Sequence, residues 1–205
     1  MPTTVAIIGA GPLGRWLALA AARAGYRVLL EDVMPQNLHH AEELLRRECI
    51  PPLPQDCKTR VLRLATLAQD ESRKDGAPGF SGVAFVSTIE DAVREADLVI
   101  DCVPDELESK LEILWLLDRM APPRTVLATP TTRLSIADLA NCTYRPAQCI
   151  AIAAEAKALT GKIGEGAGAE ILLRATSVTS AETVALVSGF WERLGFAPRV
   201  ETEIS

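Results

Sequence analysis

Short apolar runs recur along the chain, and between them lie longer stretches in which apolar positions return every three or four residues. Runs of that kind suit strands buried on both faces, and the intervening stretches suit amphipathic helices packed on them. The alternation predicts β-α units feeding a mostly parallel sheet. Strands are expected near 4–8 (TVAII), 27–31 (RVLLE), 83–86 (VAFV), 97–102 (DLVIDC), 124–128 (RTVLA), 148–153 (QCIAIA), 169–175 and 197–201. A helix over 12–24 places Leu13, Leu17, Ala20 and Ala24 on one face and stops at Gly25. Another over 105–120 stacks Leu107, Leu111, Leu114 and Leu117 and ends before Pro122-Pro123.

Between 36 and 82 the pattern loosens. A helix through Glu42–Glu48 runs into Pro51-Pro52-Leu53-Pro54, a second helical stretch follows, and Asp75-Gly76-Ala77-Pro78-Gly79 turns the chain back. This reads as a helical excursion within one domain spanning 1–205. The segment TGKIGEGAG at 160–168 reads as a glycine-rich, mobile loop. No internal repeat is present.

Composition narrows the class. Hydrophobic residues make up 48% of the 205 positions and charged residues 23%, values typical of a folded globular chain. A net charge of −6 without a Lys/Arg run gives no footprint for a nucleic-acid backbone. No apolar run reaches the roughly 18–20 residues that a spanning helix needs, so no membrane partner is expected. The opening MPTTVAIIGAGPLG has no basic leader and enters a strand directly, which points to a cytoplasmic protein. The five cysteines lack metal-ligand spacing and read as reduced, mostly buried thiols.

The chemistry begins at the first turn. Gly9-x-Gly11-x-x-Gly14, with Pro12 and Leu13 inside it, follows an apolar strand and opens a helix, and the acidic pair Glu31-Asp32 closes the next strand. Gly9 permits a tight turn, Gly11 lets backbone approach a pyrophosphate, and Gly14 allows close packing of helix on strand. The helix start then offers N–H groups and partial positive charge to the phosphates. Asp32 is placed over the crevice by strand alternation, where it would accept hydrogen bonds from the adenosine ribose hydroxyls. No Arg follows within 33–38 to meet a 2′-phosphate, so the expected cofactor is NAD(H) rather than NADP(H). The fold class expected is a Rossmann-type doubly wound sheet with flanking helices.

With that loop in place, DLVIDCVPDELESK at 97–110 closely resembles the NAD-binding domain of 3-hydroxyacyl-CoA dehydrogenases. The resemblance continues through LATPTTRLSI (127–136), Arg145-Pro146, TSVTSAETV (176–184) and LGFAPRV (194–200). It implies that Cys102, Val103, Asp105 and Lys110 lie along the ribose and nicotinamide side of NAD, and that an acyl-CoA-like molecule is the second ligand. Without the resemblance, Asp105 and Lys110 read as a solvated first helical turn. Thr132 stands where the family has a substrate-side serine. A threonine there could equally bond its own backbone in a turn.

The departures concern catalysis. The family's catalytic histidine follows Arg-Pro on the next strand, and the matching position is Ala153. The chain's two histidines, His39 and His40, sit at the adenosine end and read as surface residues. The family's orienting glutamate falls on Glu165 when counted forward from Ala153 and on Leu172 when counted back from TSVTS, with Glu170 nearby. Neither glutamate is carried over as catalytic. The family's helical C-terminal domain, which opens with Asp-x-Pro-Gly-Phe, would begin where the chain ends at 201–205. Three functional readings stay open: an NAD(H)-binding protein with weak or lost dehydrogenase catalysis, an active oxidoreductase with another acid or a second subunit, and an NAD(H) sensor or scaffold. A homodimer or partner subunit is expected over the uncovered face.

Overall fold

The computed structural model describes residues 3–49, 82–154 and 168–203. In chain order the elements are β1 (Thr4–Ile8), α1 (Pro12–Arg23), β2 (Arg27–Glu31), α2 (Pro35–Cys49), β3 (Val83–Val86), α3 (Ile89–Val93), β4 (Leu98–Asp101), α4 (Leu107–Met120), β5 (Val126–Pro130), α5 (Ile136–Asn141), a 3-10 turn (Pro146–Gln148), β6 (Cys149–Ile152), β7 (Ala169–Thr176), α6 (Ala181–Arg193) and β8 (Phe196–Glu203). The expected 160–168 loop lies outside the described residues except for Gly168, and so does the excursion between α2 and residue 82.

The eight strands form one sheet in the order β3-β2-β1-β4-β5-β6-β7-β8. Neighbours run parallel except at β6 and β7, where Ile152 faces Leu173 in an antiparallel pair. From β1 the chain first builds outward through β2 and β3, then returns to place β4 on the other side of β1. That reversal opens a crevice above the carboxyl ends of β1 and β4, because the connecting helices leave in opposite directions.

Apolar residues fill both faces. On one, α1 and α6 bring Trp16 and Trp191 together at 6.3 Å between ring centroids, and Trp191 meets Phe196 of β8 edge-on at 5.2 Å. This aromatic contact ties the first helix to the last strand. On the other face, Ile113, Leu114 and Leu117 of α4 pack with Ile136 and Leu139 of α5 over Ala6, Val99 and Leu127. Arg145 closes the carboxyl end of α4, donating from Nε to Asp118 Oδ1 at 2.9 Å and from Nη1 to the Pro122 carbonyl at 2.5 Å. Its other nitrogen serves the Asp118 and Ala121 carbonyls, so the guanidinium supplies donors that the last helical turn lacks.

Three elements start two or more residues from where they are expected. The helix expected from Glu42 starts at Pro35, because Pro is favoured in a first turn and the Asn37 and Leu38 amides both reach the Met34 carbonyl. The fourth-strand helix starts at Leu107 rather than Asp105, since the Glu106 N–H turns back to the Pro104 carbonyl at 2.8 Å. The strand expected at 124–128 runs Val126–Pro130: Thr125 donates its hydroxyl to the Ala96 carbonyl and its N–H to Pro122, which leaves 124–125 in the turn.

Candidate functional site

Each glycine of the first turn has its own geometric reason. Gly9 has φ +102°, and a Cβ there would stand 3.3 Å from the Cys102 carbonyl oxygen of the neighbouring strand end. Its N–H donates to the Glu31 carbonyl at 2.7 Å, which locks the loop to β2. A Cβ on Gly14 would lie 1.8 Å from the Gly9 carbonyl oxygen, so α1 sits against the strand only because Gly14 has none. At Gly11 a Cβ would meet nothing within 4 Å, and the space over it is open. Gly11 is also the N-cap of α1 and brings no side-chain cap, while Pro12 has no N–H. The Leu13 and Gly14 amides therefore head the helix without a capping side chain, an arrangement suited to an anion.

Asp32 follows β2 at the crevice edge and is almost wholly buried. Its Oδ2 accepts from the Ala10 N–H at 2.8 Å, and its Oδ1 accepts from the Met34 N–H at 2.8 Å. The Asn37 amide, in the first turn of α2, donates across both oxygens at 3.1 Å. Asp32 thus pins the glycine loop from below. Glu31, its neighbour, is 4% exposed and pairs in register with Ile8 of β1. Burial, with the Asp32 charge adding to it, pushes the Glu31 carboxyl up to about 7.

At the end of β4, Lys110 Nζ lies 2.5 Å from Asp101 Oδ1, and both side chains are 0% exposed. Burial pushes the Asp101 carboxyl up, and the Lys110 charge opposes that. This corrects the solvated-turn reading of Lys110: its side chain is buried and reaches from α4 to Asp101 at the end of β4. Cys102 and Val103 are half-buried at the crevice wall. Burial first, and the Asp101 charge second, push the Cys102 thiol up, so it is an inert lining group. Cys102, Cys142 and Cys149 are free thiols, of which Cys149 is buried, Cys102 half-buried and Cys142 exposed.

Asp105 opens the turn into α4. Its Oδ2 accepts from the Thr132 N–H at 3.1 Å, and its carbonyl accepts from Arg133 Nη2 at 2.7 Å. Asp105 and Thr132 are thereby brought together across the ends of β4 and β5, with Thr132 exposed. Beyond them a cavity of about 410 Å3 is lined by Arg133, Leu134, Ser135, Arg174 and the end of β8. It lies to the side of the glycine loop, and Glu203 commits both carboxylate oxygens there to Ser135 and the Ile136 N–H.

Ala153 follows β6, and its N–H donates to the Leu172 carbonyl at 2.8 Å. The antiparallel register continues from Ile152 and Leu173 to this pair, so Ala153 and Leu172 stand opposite one another. Glu170 is exposed and sits 3.6 Å from Arg199, and Glu165 lies outside the described residues. His39 and His40 are both exposed on α2, and His39 pairs with Glu43 at 3.4 Å. Sequence reasoning had missed Asn37; its signal was an Asn in the first turn of a helix directly after the acidic strand end.

An open face over Gly11, uncapped amides at a helix start and a carboxylate beside them fit the pyrophosphate and ribose of a dinucleotide, and they define a dinucleotide-binding domain of the doubly wound type. A family model described as "3-hydroxyacyl-CoA dehydrogenase, NAD binding domain" matches residues 4–153, and the chain belongs to that family. Its cofactor is NAD. The chain is 27% identical over 146 residues to the probable 3-hydroxybutyryl-CoA dehydrogenase of Bacillus subtilis (strain 168), which covers 71% of this chain and 46% of that protein. It is 30% identical over 148 residues to the mitochondrial hydroxyacyl-coenzyme A dehydrogenase of Sus scrofa, covering 69% and 42%. The chain therefore spans less than half the length of these curated relatives. Among solved structures, (S)-3-hydroxybutyryl-CoA dehydrogenase from Ralstonia eutropha shares the fold with a TM-score of 0.75 at 21% identity, covering 100% of this chain and 65% of that one.

Proposed function

We propose that this chain binds NAD(H) in the crevice above β1 and β4 and that the dehydrogenase chemistry of its relatives is weak or lost in it. The observation that carries this reading is the facing pair Ala153 and Leu172. By resemblance Ala153 holds the position of the histidine that exchanges the substrate proton, and Leu172, which faces it, is the position that the count back from TSVTS gives for the glutamate that orients it. When bound, NAD supplies the acceptor or donor of a hydride. The proton must move on the protein side, and neither a methyl nor an isobutyl group moves one. General acid-base catalysis contributes roughly 10² to 10⁴ in rate, which is the size of the deficit expected.

The remaining residues favour binding. Asp32 takes the 2′ and 3′ hydroxyls of the adenosine ribose and disfavours a 2′-phosphate. The helix start of α1 takes the pyrophosphate, Cys102, Val103 and Asp105 line the nicotinamide side, and Thr132 offers a hydroxyl to a carbonyl oxygen of an acyl-CoA-like molecule. Val33, Met34 and Leu107 stand exposed around the crevice, which supports a second subunit covering that face, either a copy of this chain or a partner.

Calorimetric titration with NADH, then acetoacetyl-CoA with NADH absorbance followed, tests the reading. NADH binds at least about tenfold more tightly than NADPH, and NADH is consumed several orders of magnitude more slowly than by an intact family member or not detectably. Turnover on the order of 1 to 10³ per second would show that another acid serves the site.

A further inference from the structure

We propose that the Asn37 side-chain amide is a placeholder for the ribose hydroxyls on Asp32 and sets the affinity for NAD(H) by having to leave. The inference rests on Asp32 being the ribose-binding carboxylate. An ionised carboxylate presents about four acceptor sites, and here each oxygen already accepts two contacts. Oδ1 takes the Met34 N–H and Asn37 Nδ2, and Oδ2 takes the Ala10 N–H and the same Nδ2.

The three donors differ in how readily they yield. Ala10 and Met34 donate from backbone. Ala10 is buried within the glycine loop, and that loop is tied to β2 through Gly9 and Glu31. Releasing either amide means moving the loop that receives the pyrophosphate or the turn that starts α2. Asn37 donates from a side chain on an exposed residue, and rotation about its own bonds frees both oxygens at once. Its two contacts are also the longest of the four, 3.1 Å each against 2.8 Å for each backbone donor. A vicinal diol brings two O–H donors to one carboxylate, one for each oxygen that the single Asn37 nitrogen spans. The amide therefore satisfies the carboxylate in the free protein and competes with the diol for it.

Removing the competitor leaves Asp32 held by its two backbone donors and open to the diol. In Asn37→Ala, NADH and ADP-ribose are expected to bind tighter by roughly threefold to tenfold, the scale of one ordinary net hydrogen bond. NADPH, whose 2′ position carries phosphate instead of a hydroxyl donor, does not gain by that factor. Calorimetry with the three ligands on wild type and variant reads this out, and thermal unfolding of the free proteins reads any purely structural role of Asn37 in starting α2. Unchanged or weaker NADH binding in Asn37→Ala, with or without a lower unfolding temperature, overturns the proposal. So does an equal gain for NADPH. If wild type shows no preference for NADH over NADPH and Asp32→Ala binds NADH as well as wild type, the ribose assignment itself fails and this inference fails with it.

Discussion

Lys110 Nζ and Asp101 Oδ1 meet at 2.5 Å with neither side chain reaching solvent. Two charges taken out of water are tolerated as a pair, whereas one alone is not. Lys110→Met should therefore lower stability to urea by about 3 to 5 kcal/mol, because it strands a buried carboxylate. The double variant Asp101→Asn/Lys110→Met should be more stable than Lys110→Met. A single variant that costs nothing would mean the pair is solvated.

Glu31 couples stability to pH. Below about 4.5 both folded and unfolded chains hold its proton; between 4.5 and about 7 the unfolded chain ionises while the folded one keeps the proton, so stability falls as pH rises; above that the cost is constant. Glu31→Gln should accordingly exceed wild type by roughly 1 to 3 kcal/mol at pH 8 and by nothing near pH 4. Chemical denaturation at the two pH values measures the gap, and a gap that is the same at both would contradict the burial of this carboxyl.

The glycines should separate folding from binding. Gly14→Ala drives a Cβ into the Gly9 carbonyl and should unfold or strongly destabilise the chain. The Cβ of Gly11→Val meets nothing within 4 Å, so the free variant should melt within a few degrees of wild type while losing NADH binding in calorimetry. Retained binding would place the pyrophosphate elsewhere.

Restoring chemistry should need both strands of the β6–β7 pair. Ala153→His alone leaves the imidazole facing Leu172 and is expected to raise acetoacetyl-CoA reduction little. Ala153→His with Leu172→Glu should exceed the combined effect of the two single variants, since groups that act as a unit are not additive. Stopped assays of NADH loss across pH 5 to 9 decide it: an added dependence near the imidazole range, about 6.5, marks the new base.

Where contacts are local the sequence was readable. Gly9, Gly11, Gly14 and Asp32 lie within two consecutive strand ends, and their spacing alone places them around one turn. The solvated-turn reading of Lys110 failed because lysines seldom lie wholly inside a protein, and its partner is a strand residue that only the packing of α4 on β4 brings near. The Ala153–Leu172 pairing could not be counted across 155–167. It took the antiparallel register, anchored at Ile152 and Leu173, to set Leu172 opposite Ala153. Asn37 escaped notice because its meaning depends on the direction in which Asp32 turns, which spacing does not encode.

Among the described strands β8 is the outer rim of the sheet on its side, paired along Phe196–Glu203 to β7. Pro198 has no N–H to offer an incoming strand, and Arg199, Glu201 and Glu203 put charge along the same rim. At the opposite rim β3 is four residues long. Among the described residues, strand addition at the sheet borders is thus disfavoured by chemistry on one side and by brevity on the other.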